Sequence, residues 1–413
     1  MPDCIRNIAN IIHNAGGSLY LVGGAIRDSL LGIENHDEDY CVTGITFEQF
    51  KSLFPKAIIK GKSFAVFEID GKEFAIARKE NKIGIGHTEF EIEADTNISI
   101  EEDLKRRDIT INAIAKDIYT NKIIDPYNGQ EDLRKGVIRA VTNHFKEDPL
   151  RVYRVARFAS KLQFEVSEDT ITMMASMKDE LKSLPAERVY TEFSKALLSD
   201  NPSKFFDILK KCNVLNVHFK PVYDLIGALQ PIKYHPEGDA YNHTMIVIDK
   251  VTESTKDFFD GRKLEIRFGA LVHDFGKGLT AKEEYPHHYL HEKKGVEIVK
   301  KFGNKLKIPN RLIKCGVTSC LEHMRGGMFQ NMKDSKKIEF IERIDKTLLG
   351  LEGLQIIVNA DNENSADFAT IGHQCLKEIN GEYIKDKYNI SESSKIKNIL
   401  HQERVNWLKK NKK

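Results

Sequence analysis

The 413-residue chain holds one tryptophan, eleven prolines and six cysteines, and no two of the cysteines form a Cys-x-x-Cys pair. Cys4, Cys41, Cys212, Cys315, Cys320 and Cys375 are scattered as buried or free thiols are in a reducing compartment, which speaks against a disulfide framework. No stretch approaches the ~18 consecutive apolar residues of a membrane-spanning helix. Residues 1–17 lack the basic-then-apolar order of a signal peptide, and Ile5, Ile8, Ile11 and Ile12 instead follow helical spacing. A soluble, cytoplasmic protein without a membrane partner is expected. Internal repeats and low-complexity tracts are missing too. Charge of one sign is also in short supply: 63 Lys and Arg face 61 Asp and Glu, for a net charge of +2. A nucleic-acid partner would therefore have to be held by local patches rather than by a chain-wide basic field.

What is present is a length that suggests two to four domains at roughly 100–200 residues each, with 41% hydrophobic residues to fill their cores. Residues 1–140 read as mixed α/β. Ser18–Val22 is a short apolar strand ended by the Gly23-Gly24 turn, followed by a helix over Ala25–Leu31 that closes at Gly32. Asp39–Thr43 is a second strand, and residues 65–69 and 73–77 flank the hairpin turn Asp70-Gly71-Lys72. Residues 79–97, polar, charged and dotted with glycine, predict a mobile loop. From Pro149 onward amphipathic helices dominate, with candidates over 149–162, 187–198, 202–212 and across the 367–413 tail.

Asp37 and Asp39 occupy alternate positions of a strand and so share a face. Two carboxylates on one face suit one or two Mg²⁺ ions, which take hard oxygen ligands and keep positions open for phosphates; an acidic turn would present the same residues. The Gly23-Gly24 turn ahead of them could offer bare amides to a phosphate, with Arg27 one helical turn later as a counter-charge. Residues 103–113 pack three bases and two acids around a strand-like alternation, and Asp125–Gln130 is a turn by composition. Asp148-Pro149 reads as a helix cap and first-turn proline. Arg151, Arg154 and Arg157 follow at three-residue spacing, away from the stripe Val152, Val155, Ala156 and Ala159. Such a row is either a solvated face or one aimed at a nucleotide.

Leu21–Asp28, Asp37-Glu38-Asp39, Arg106–Ala113, Asp125-Pro126-Tyr127 and Glu147–Arg151, in this order and spacing, resemble the class II tRNA nucleotidyltransferases, the CCA-adding enzymes. Glu187–Phe193 looks like that family's helical neck. The resemblance implies that Asp37 and Asp39 hold the catalytic Mg²⁺. It implies that Gly24, Arg27, Arg107, Arg154 and Arg157 contact the phosphates of the incoming nucleotide. Asp148 and Arg151 would read the Watson–Crick edge of CTP or ATP. An Asp accepts from the exocyclic amine that both bases carry and Arg donates to the neighbouring ring position, so wrong bases leave buried polar groups unpaired. Glu38 stands where relatives often carry a basic residue and should face away from the metals. Glu73 is either a third carboxylate or a plain surface residue.

Seven of the fourteen histidines fall between 235 and 323. His243, His273-Asp274 and His287, His288 and His291 form a second constellation, rich in the imidazole that favours transition metals over Mg²⁺. The stretch Ala270–Gly278 looks like the HD phosphohydrolase superfamily. With Tyr234–Glu237 and Pro286–His288, the match extends to the bacterial multidomain CCA-adding enzymes. That resemblance implies His243, His273 and Asp274 as ligands of Ni²⁺ or a similar ion, with Asp361 as the distal carboxylate. His323 is either an accessory ligand or structural. The implied activities are 2′,3′-cyclic phosphodiesterase, 2′-nucleotidase and phosphatase.

The expected fold is α+β: a mixed α/β nucleotidyltransferase head of polymerase-β-like type (1–140), then an all-α neck (141–225), an HD domain (226–330) and a helical tail (331–413). The expected partners are tRNA, ATP and CTP, for a monomer or homodimer. Lys409, Lys410, Lys412 and Lys413 are either a tRNA-binding end or a solvated one.

Overall fold

The computed structural model describes residues 3–34, 38–60, 66–77, 79–82, 90–93, 96–362, 365–389 and 393–411. They form two compact units, residues 1–185 with 211–214, and residues 186–210 with 215–413.

The first unit is built on strands β1 (Ser18–Val22), β2 (Asp39–Thr43), β3 (Ile58–Lys60), β4 (Val66–Ile69), β5 (Lys72–Ile76), β6 (Lys79–Lys82), β7 (Phe90–Glu93), β8 (Ala115–Asp117), β9 (Ile123–Ile124), β10 (Val137–Ile138) and β11 (Glu165–Val166). Seven of them make one sheet in the order β3-β4-β5-β2-β1-β8-β9. Within it β2 and β5 run parallel and the other neighbours antiparallel. The helix Asp3–Asn14 lays Ile5, Ile8, Ala9 and Ile12 onto a core shared with Leu19, Tyr40, Val42, Phe50, Phe67 and Phe74. That burial is the i, i+3, i+4, i+7 stripe of an amphipathic helix. Reciprocal side-chain caps start two further helices, Thr46 with Gln49 before Phe47–Leu53 and Ser99 with Glu102 before Ile100–Lys105.

Two expectations fail in this unit. Residues 79–97, read as a loop, contain the antiparallel pair β6–β7, in register Lys79↔Glu93 to Lys82↔Phe90. The alternation Phe90-Glu91-Ile92-Glu93 carries the strand signal, and the surrounding charge and glycine outweighed it. Residues 103–113 are not a strand: they close the helix Ile100–Lys105 and form a 3₁₀ turn over Thr110–Asn112. Their apolar alternation comes from Ile109, Ile111 and Ala113, all fully buried at that turn.

The second unit is built of helices and holds no strand among its described residues beyond the isolated bridge Leu229↔Asp239, as expected from the loss of strand signals. Its early helices, Ala186–Leu197 and Ser203–Lys211, pack Phe193, Phe205 and Phe206 against Phe219 and Phe302. Several of these rings meet edge to face, at 5.5–6.2 Å between centroids for the pairs Phe205–Phe219, Phe206–Phe219 and Phe193–Phe206. A second core runs from Val247 to Leu408. It joins Ile266 and Ala270, Cys315, Ile341, Leu354 and Ile357, Phe368 and Trp407. The tail is helical at Phe368–Glu378, Gly381–Tyr388 and Ser393–Lys410; Lys409 and Lys410 are exposed, and Lys412 and Lys413 lie outside the described residues.

Backbone contact at Gly276 and Gly295 decides the geometry at the centre of this unit. A Cβ on Gly276 would overlap the backbone carbonyl of His291 and come within 2.8 Å of the Gly295 nitrogen. A Cβ on Gly295 would stand 2.5 Å from the Cys320 sulfur. Two bare Cα atoms therefore let the turn after His273-Asp274 press onto the helix His291–Lys305. Gly276→Ala should destabilise this unit by more than about 2 kcal/mol, read from its denaturant midpoint. A parent-like midpoint would show that the contact relaxes.

Candidate functional sites

In the first unit β1 ends at Val22 and the chain turns at Gly23, whose φ of 70° lies in the left-handed region that favours glycine. The helix Gly24–Leu30 follows. Register sets Asp39, the first residue of β2, beside Val22 on one side and Glu73 of β5 on the other. Asp39 and Glu73 are both exposed, so this sheet end presents two carboxylates together. Glu38 accepts from the Tyr40 hydroxyl and pairs with Lys72. Asp37 lies outside the described residues.

The arginines converge. Arg27 is buried, donating through Nε to Asp28 at 2.7 Å and through Nη1 to Asn112 Oδ1 at 2.6 Å. Asn112 donates to Asp108, and Asp108 accepts from Arg154 Nε at 2.9 Å. A single ring, Phe158, carries three guanidinium carbons near its centroid: Arg157 at 4.1 Å, Arg27 at 5.0 Å and Arg154 at 5.6 Å. Cations gathered around one aromatic ring are held in place with their charge concentrated, which suits a polyphosphate. Arg107 pairs with Asp103 and reaches the turn, its Nη1 3.1 Å from where a Gly23 Cβ would be. Its Nε is buried with no hydrogen-bond partner, a donor that a ligand oxygen would satisfy.

The helix Leu150–Leu162 presents the arginine row, while Val152, Val155, Ala156 and Ala159 are fully buried, as the spacing predicts. Asp148 accepts from the Leu150 amide at 3.0 Å. Arg151 donates to the backbone carbonyls of His144 at 2.6 Å and Arg106 at 2.7 Å. Asp125 caps the helix Gly129–Lys135 through the Gly129 and Gln130 amides, a structural turn. Burial opposes the charge on Asp108, but Arg154 and Arg151 beside it hold its carboxyl well below the usual range. Asp108, Asn112 and Phe158 fix the arginines, and no sequence signal gave them that task. Asp108→Ala should raise the nucleotide KM about tenfold by freeing Arg154, measured by steady-state kinetics. An unchanged KM would remove Asp108 from the site.

In the second unit His243 comes from the helix Ala240–Ser254, His273 and Asp274 from the end of Asp260–Val272, and Asp361 from the end of Gly350–Asp361. His243 Nε2 is 2.8 Å from Asp361 Oδ1, and His273 Nε2 is 3.2 Å from Asp274 Oδ2 and 3.9 Å from Asp361 Oδ1. His273 Nδ1 lies 2.7 Å from the Ala270 carbonyl, an acceptor for its hydrogen, which aims Nε2 at Asp274 and Asp361. His273 Nε2 and both Asp274 oxygens are buried without a hydrogen bond, although they stand at ion-pair distances. Unsatisfied imidazole and carboxylate atoms converging in this way fit a divalent metal ion. The four residues expected as ligands are thus brought together.

Electrostatics point the same way. Burial opposes protonation of His243, yet the Asp361 hydrogen bond and the Asp274 and Asp361 charges raise its pKa above the usual value. Asp274, though buried, is held far below the carboxylate range by the charges of His273 and Lys277. Three residues have no role in the sequence reading. Glu237 lies 2.6 Å from His243 Nδ1, and Lys277 reaches Asp274 Oδ2 at 2.5 Å and Gln230 Oε1 at 2.5 Å. His287 is exposed, and His288 is engaged by Thr280 and the Leu229 carbonyl, so of the 287–291 group only His291 approaches Asp274. A cavity of about 840 Å³ opens over the cluster, lined among others by Tyr234, Lys250, Lys277 and Tyr289. Glu237→Gln should weaken metal binding about 10–100-fold, measured by chelator competition. Unchanged affinity would make Glu237 a bystander.

Comparison with known proteins assigns three segments. Residues 19–139 match the poly A polymerase head domain, residues 163–225 a probable RNA and SrmB binding site of polymerase A, and residues 240–349 the HD domain. The multifunctional CCA protein of Acinetobacter baylyi is 39% identical over 349 residues, 83% of this chain and 82% of that one. That of Shewanella denitrificans is 44% identical over 299 residues, 71% and 70% of the two chains. Among solved structures, a CCA-adding enzyme in apo form aligns at 20% identity with a TM-score of 0.66, covering 100% of this chain and 92% of its own. The complex of a CCA-adding enzyme with ATP aligns at 20% identity and 0.65, covering 99% and 90%. At that identity the structures support the fold, a nucleotidyltransferase head followed by helices with an HD domain. No described helix is long and apolar enough to cross a membrane.

Proposed function

The chain belongs to the multifunctional CCA proteins, and from that premise we propose that it adds or repairs the 3′-terminal CCA of tRNA, using CTP and ATP and no nucleic-acid template. We further propose that its histidine-rich site hydrolyses phosphate esters as a 2′,3′-cyclic phosphodiesterase, 2′-nucleotidase and phosphatase. The observation that carries the first activity is the gathering of Arg27, Arg154 and Arg157 on Phe158, one turn along the helix from Asp148 and Arg151.

In the transfer reaction the tRNA 3′-hydroxyl attacks the α-phosphate of the nucleotide and pyrophosphate leaves. Mg²⁺ held by Asp37 and Asp39 would activate the attacking oxygen and neutralise the leaving group. Gly24, Arg27, Arg107, Arg154 and Arg157 bind the triphosphate. Asp148 and Arg151 select the base, accepting C and A through the shared exocyclic amine. Arg151 already donates to two backbone carbonyls, which sets its plane before the base arrives. In the second reaction a transition metal, Ni²⁺ or similar, held by His243, His273, Asp274 and Asp361 would polarise the phosphoryl group. Lys277 supplies a buried positive charge beside it.

Along the chain we assign nucleotidyl transfer to 1–140, base selection and the neck to 141–225, phosphohydrolysis to 226–330 and tRNA contact to 331–413, with Asp361 of the last segment lent to the hydrolytic site. The tail lysines Lys409 and Lys410 would meet the tRNA backbone. The substrates place the activity in the cytoplasm.

Purified protein with Mg²⁺ and a tRNA lacking CCA should add two C residues from CTP alone and one further A when ATP is also present, resolved at single-nucleotide length. Asp39→Ala should lower addition at least a thousandfold, by order of magnitude. His273→Ala should abolish phosphohydrolysis and leave addition intact. Long A tracts with little use of CTP would assign the chain to the poly(A) polymerases instead.

A further inference from the structure

The chain as a whole carries a net charge of +2, yet residues 291–314 hold eight basic residues against two acidic ones. The remainder is therefore net acidic by four, and one short stretch concentrates the positive charge. Most of it sits on the helix His291–Lys305, where Lys293, Lys294, Lys300, Lys301 and Lys305 are all exposed. At about 100° per residue these five fall within an arc of about 140°. Gly295, Val299, Phe302 and Gly303, all buried, occupy the opposite side. One acid, Glu297, shares the lysine arc, and it pairs with Lys300 at 2.7 Å. Lys293, Lys294, Lys301 and Lys305 stand at ion-pair distance from no carboxylate among the described residues.

This arrangement works against the helix. Lys293 and Lys294 lie near its N-terminus, where the positive end of the helix dipole disfavours cations. Lys301 and Lys305, four residues apart, are neighbours of like charge on one face. A helix that needed only solubility would mix both signs. Folding therefore does not account for the lysine face. A polyanion laid along it does, because phosphates relieve the repulsion and release their counterions as they meet the ammonium groups.

The face starts at the cavity. His291, the first residue of the helix, lines the cavity over the buried cluster, and Tyr289 two residues earlier lines it too. From Lys293 to Lys305 the helix rises about 18 Å, the span of a few nucleotides. Tyr289 is 67% exposed, and Tyr234, also in the lining, is 71% exposed. Tyr289 stacks with His287 at 5.8 Å between ring centroids, and Lys233 Nζ stands 5.4 Å from the centre of the Tyr234 ring. Large rings left open at a cavity mouth offer stacking platforms to bases. A basic surface that follows the backbone beside such rings is how single-stranded nucleic acid is held without its sequence being read.

We propose that the lysine face of His291–Lys305 and the rings of Tyr289 and Tyr234 form a track for the 3′ end of a single-stranded RNA. The lysines take successive backbone phosphates, the rings stack on the terminal bases, and the terminal phosphate reaches the cavity. The substrate of the hydrolytic site is then a polynucleotide end rather than a free nucleotide. With a 2′,3′-cyclic end, the oxygen of water joins phosphorus, one P–O bond of the ring breaks, and the freed ribose oxygen takes a proton from that water. No further reactant is needed. The inference deepens the phosphohydrolase assignment and rests on it for its purpose, while binding along the face can be measured without hydrolysis.

The test compares two substrates of the full, Ni²⁺-loaded chain: a short unstructured RNA ending in a 2′,3′-cyclic phosphate, and the mononucleotide adenosine 2′,3′-cyclic phosphate. The parent should prefer the RNA by about tenfold or more in kcat/KM at low salt. Lys294→Ala, Lys301→Ala and Lys305→Ala combined should erase that preference through KM and lower the salt slope of RNA hydrolysis by about two, with the mononucleotide rate as the control. Lys294→Arg, Lys301→Arg and Lys305→Arg combined should retain the preference, since backbone phosphates ask for charge. Tyr289→Ala should raise KM for both nucleotide substrates about fivefold or more and leave that of glycerol 2-phosphate, which has no base, unchanged; an unmoved nucleotide KM overturns the stacking. A parent that treats RNA and mononucleotide alike overturns the proposal, and so does a triple-alanine variant that keeps the parent's preference. Parent protein that binds anionic lipid vesicles through these lysines, with RNA handling unchanged in the variant, overturns it in favour of a membrane surface. If the parent hydrolyses neither substrate, the phosphohydrolase reading falls and fluorescence anisotropy of the labelled RNA decides the track: weaker binding by the triple-alanine variant supports it, and equal binding overturns it.

Discussion

A carboxylate taken out of water has to be met by positive charge, and both units of this protein place their functional side chains by that requirement. In the first, Asp108 is buried and met by Arg154, while Asn112 ties it to Arg27. In the second, Asp274 is buried and ringed by His273, His291, His323 and Lys277. The consequences differ because the cations differ. Guanidiniums are permanently charged and planar, so around Asp108 and Phe158 they form a fixed patch of a kind suited to phosphate. The groups facing Asp274 are chiefly imidazoles, whose nitrogens can serve a transition-metal ion, so that cluster is suited to a metal rather than to a phosphate.

The same distinction runs through the donor types of the two units. The sheet end in the first unit offers carboxylates, Asp39 with Glu73 in register beside it, and such hard oxygen donors suit Mg²⁺ and leave room for phosphates. The second unit offers mostly nitrogen donors, which select borderline transition ions.

Much of this was legible in the sequence because it depends on short-range pattern. Strands β1 and β2, the β4–β5 hairpin and the helix Leu150–Leu162 fall within a residue or two of where periodicity and turn residues put them, and the helix Asp3–Asn14 carries the isoleucines whose spacing is helical. Motif order singled out Asp148, Arg151, Arg154 and Arg157, and adjacent metal-binding types singled out His273 and Asp274, which the fold brings beside Asp361 and His243. What stayed hidden depends on the third dimension. Phe158 reads as one more apolar residue of a helix, and only packing reveals it as the platform for Arg27 from 131 positions earlier. Glu237 and Lys277 carry no local signal that ties them to His243 and Asp274. Where local pattern itself misled, at β6–β7 and at 103–113, the cause was a short segment whose charges or buried isoleucines imitate another element.

Asp361 shows why the second site cannot be understood from the histidine-rich stretch alone. It closes the helix Gly350–Asp361, whose Leu354, Ile357 and Val358 belong to the core that continues through Phe368 to Trp407. The carboxylate that faces His243 is thus positioned by packing that extends to the last described helix. Interiors at close-packed density transmit displacement rather than absorb it, and a ligand held at 2.8 Å from His243 Nε2 tolerates little. The tail is therefore part of the hydrolytic site's geometry as well as a candidate surface for tRNA. The proposed metal ligands come from near the ends of separate helices, where a carboxylate or imidazole can leave the bundle's core and still be held by it.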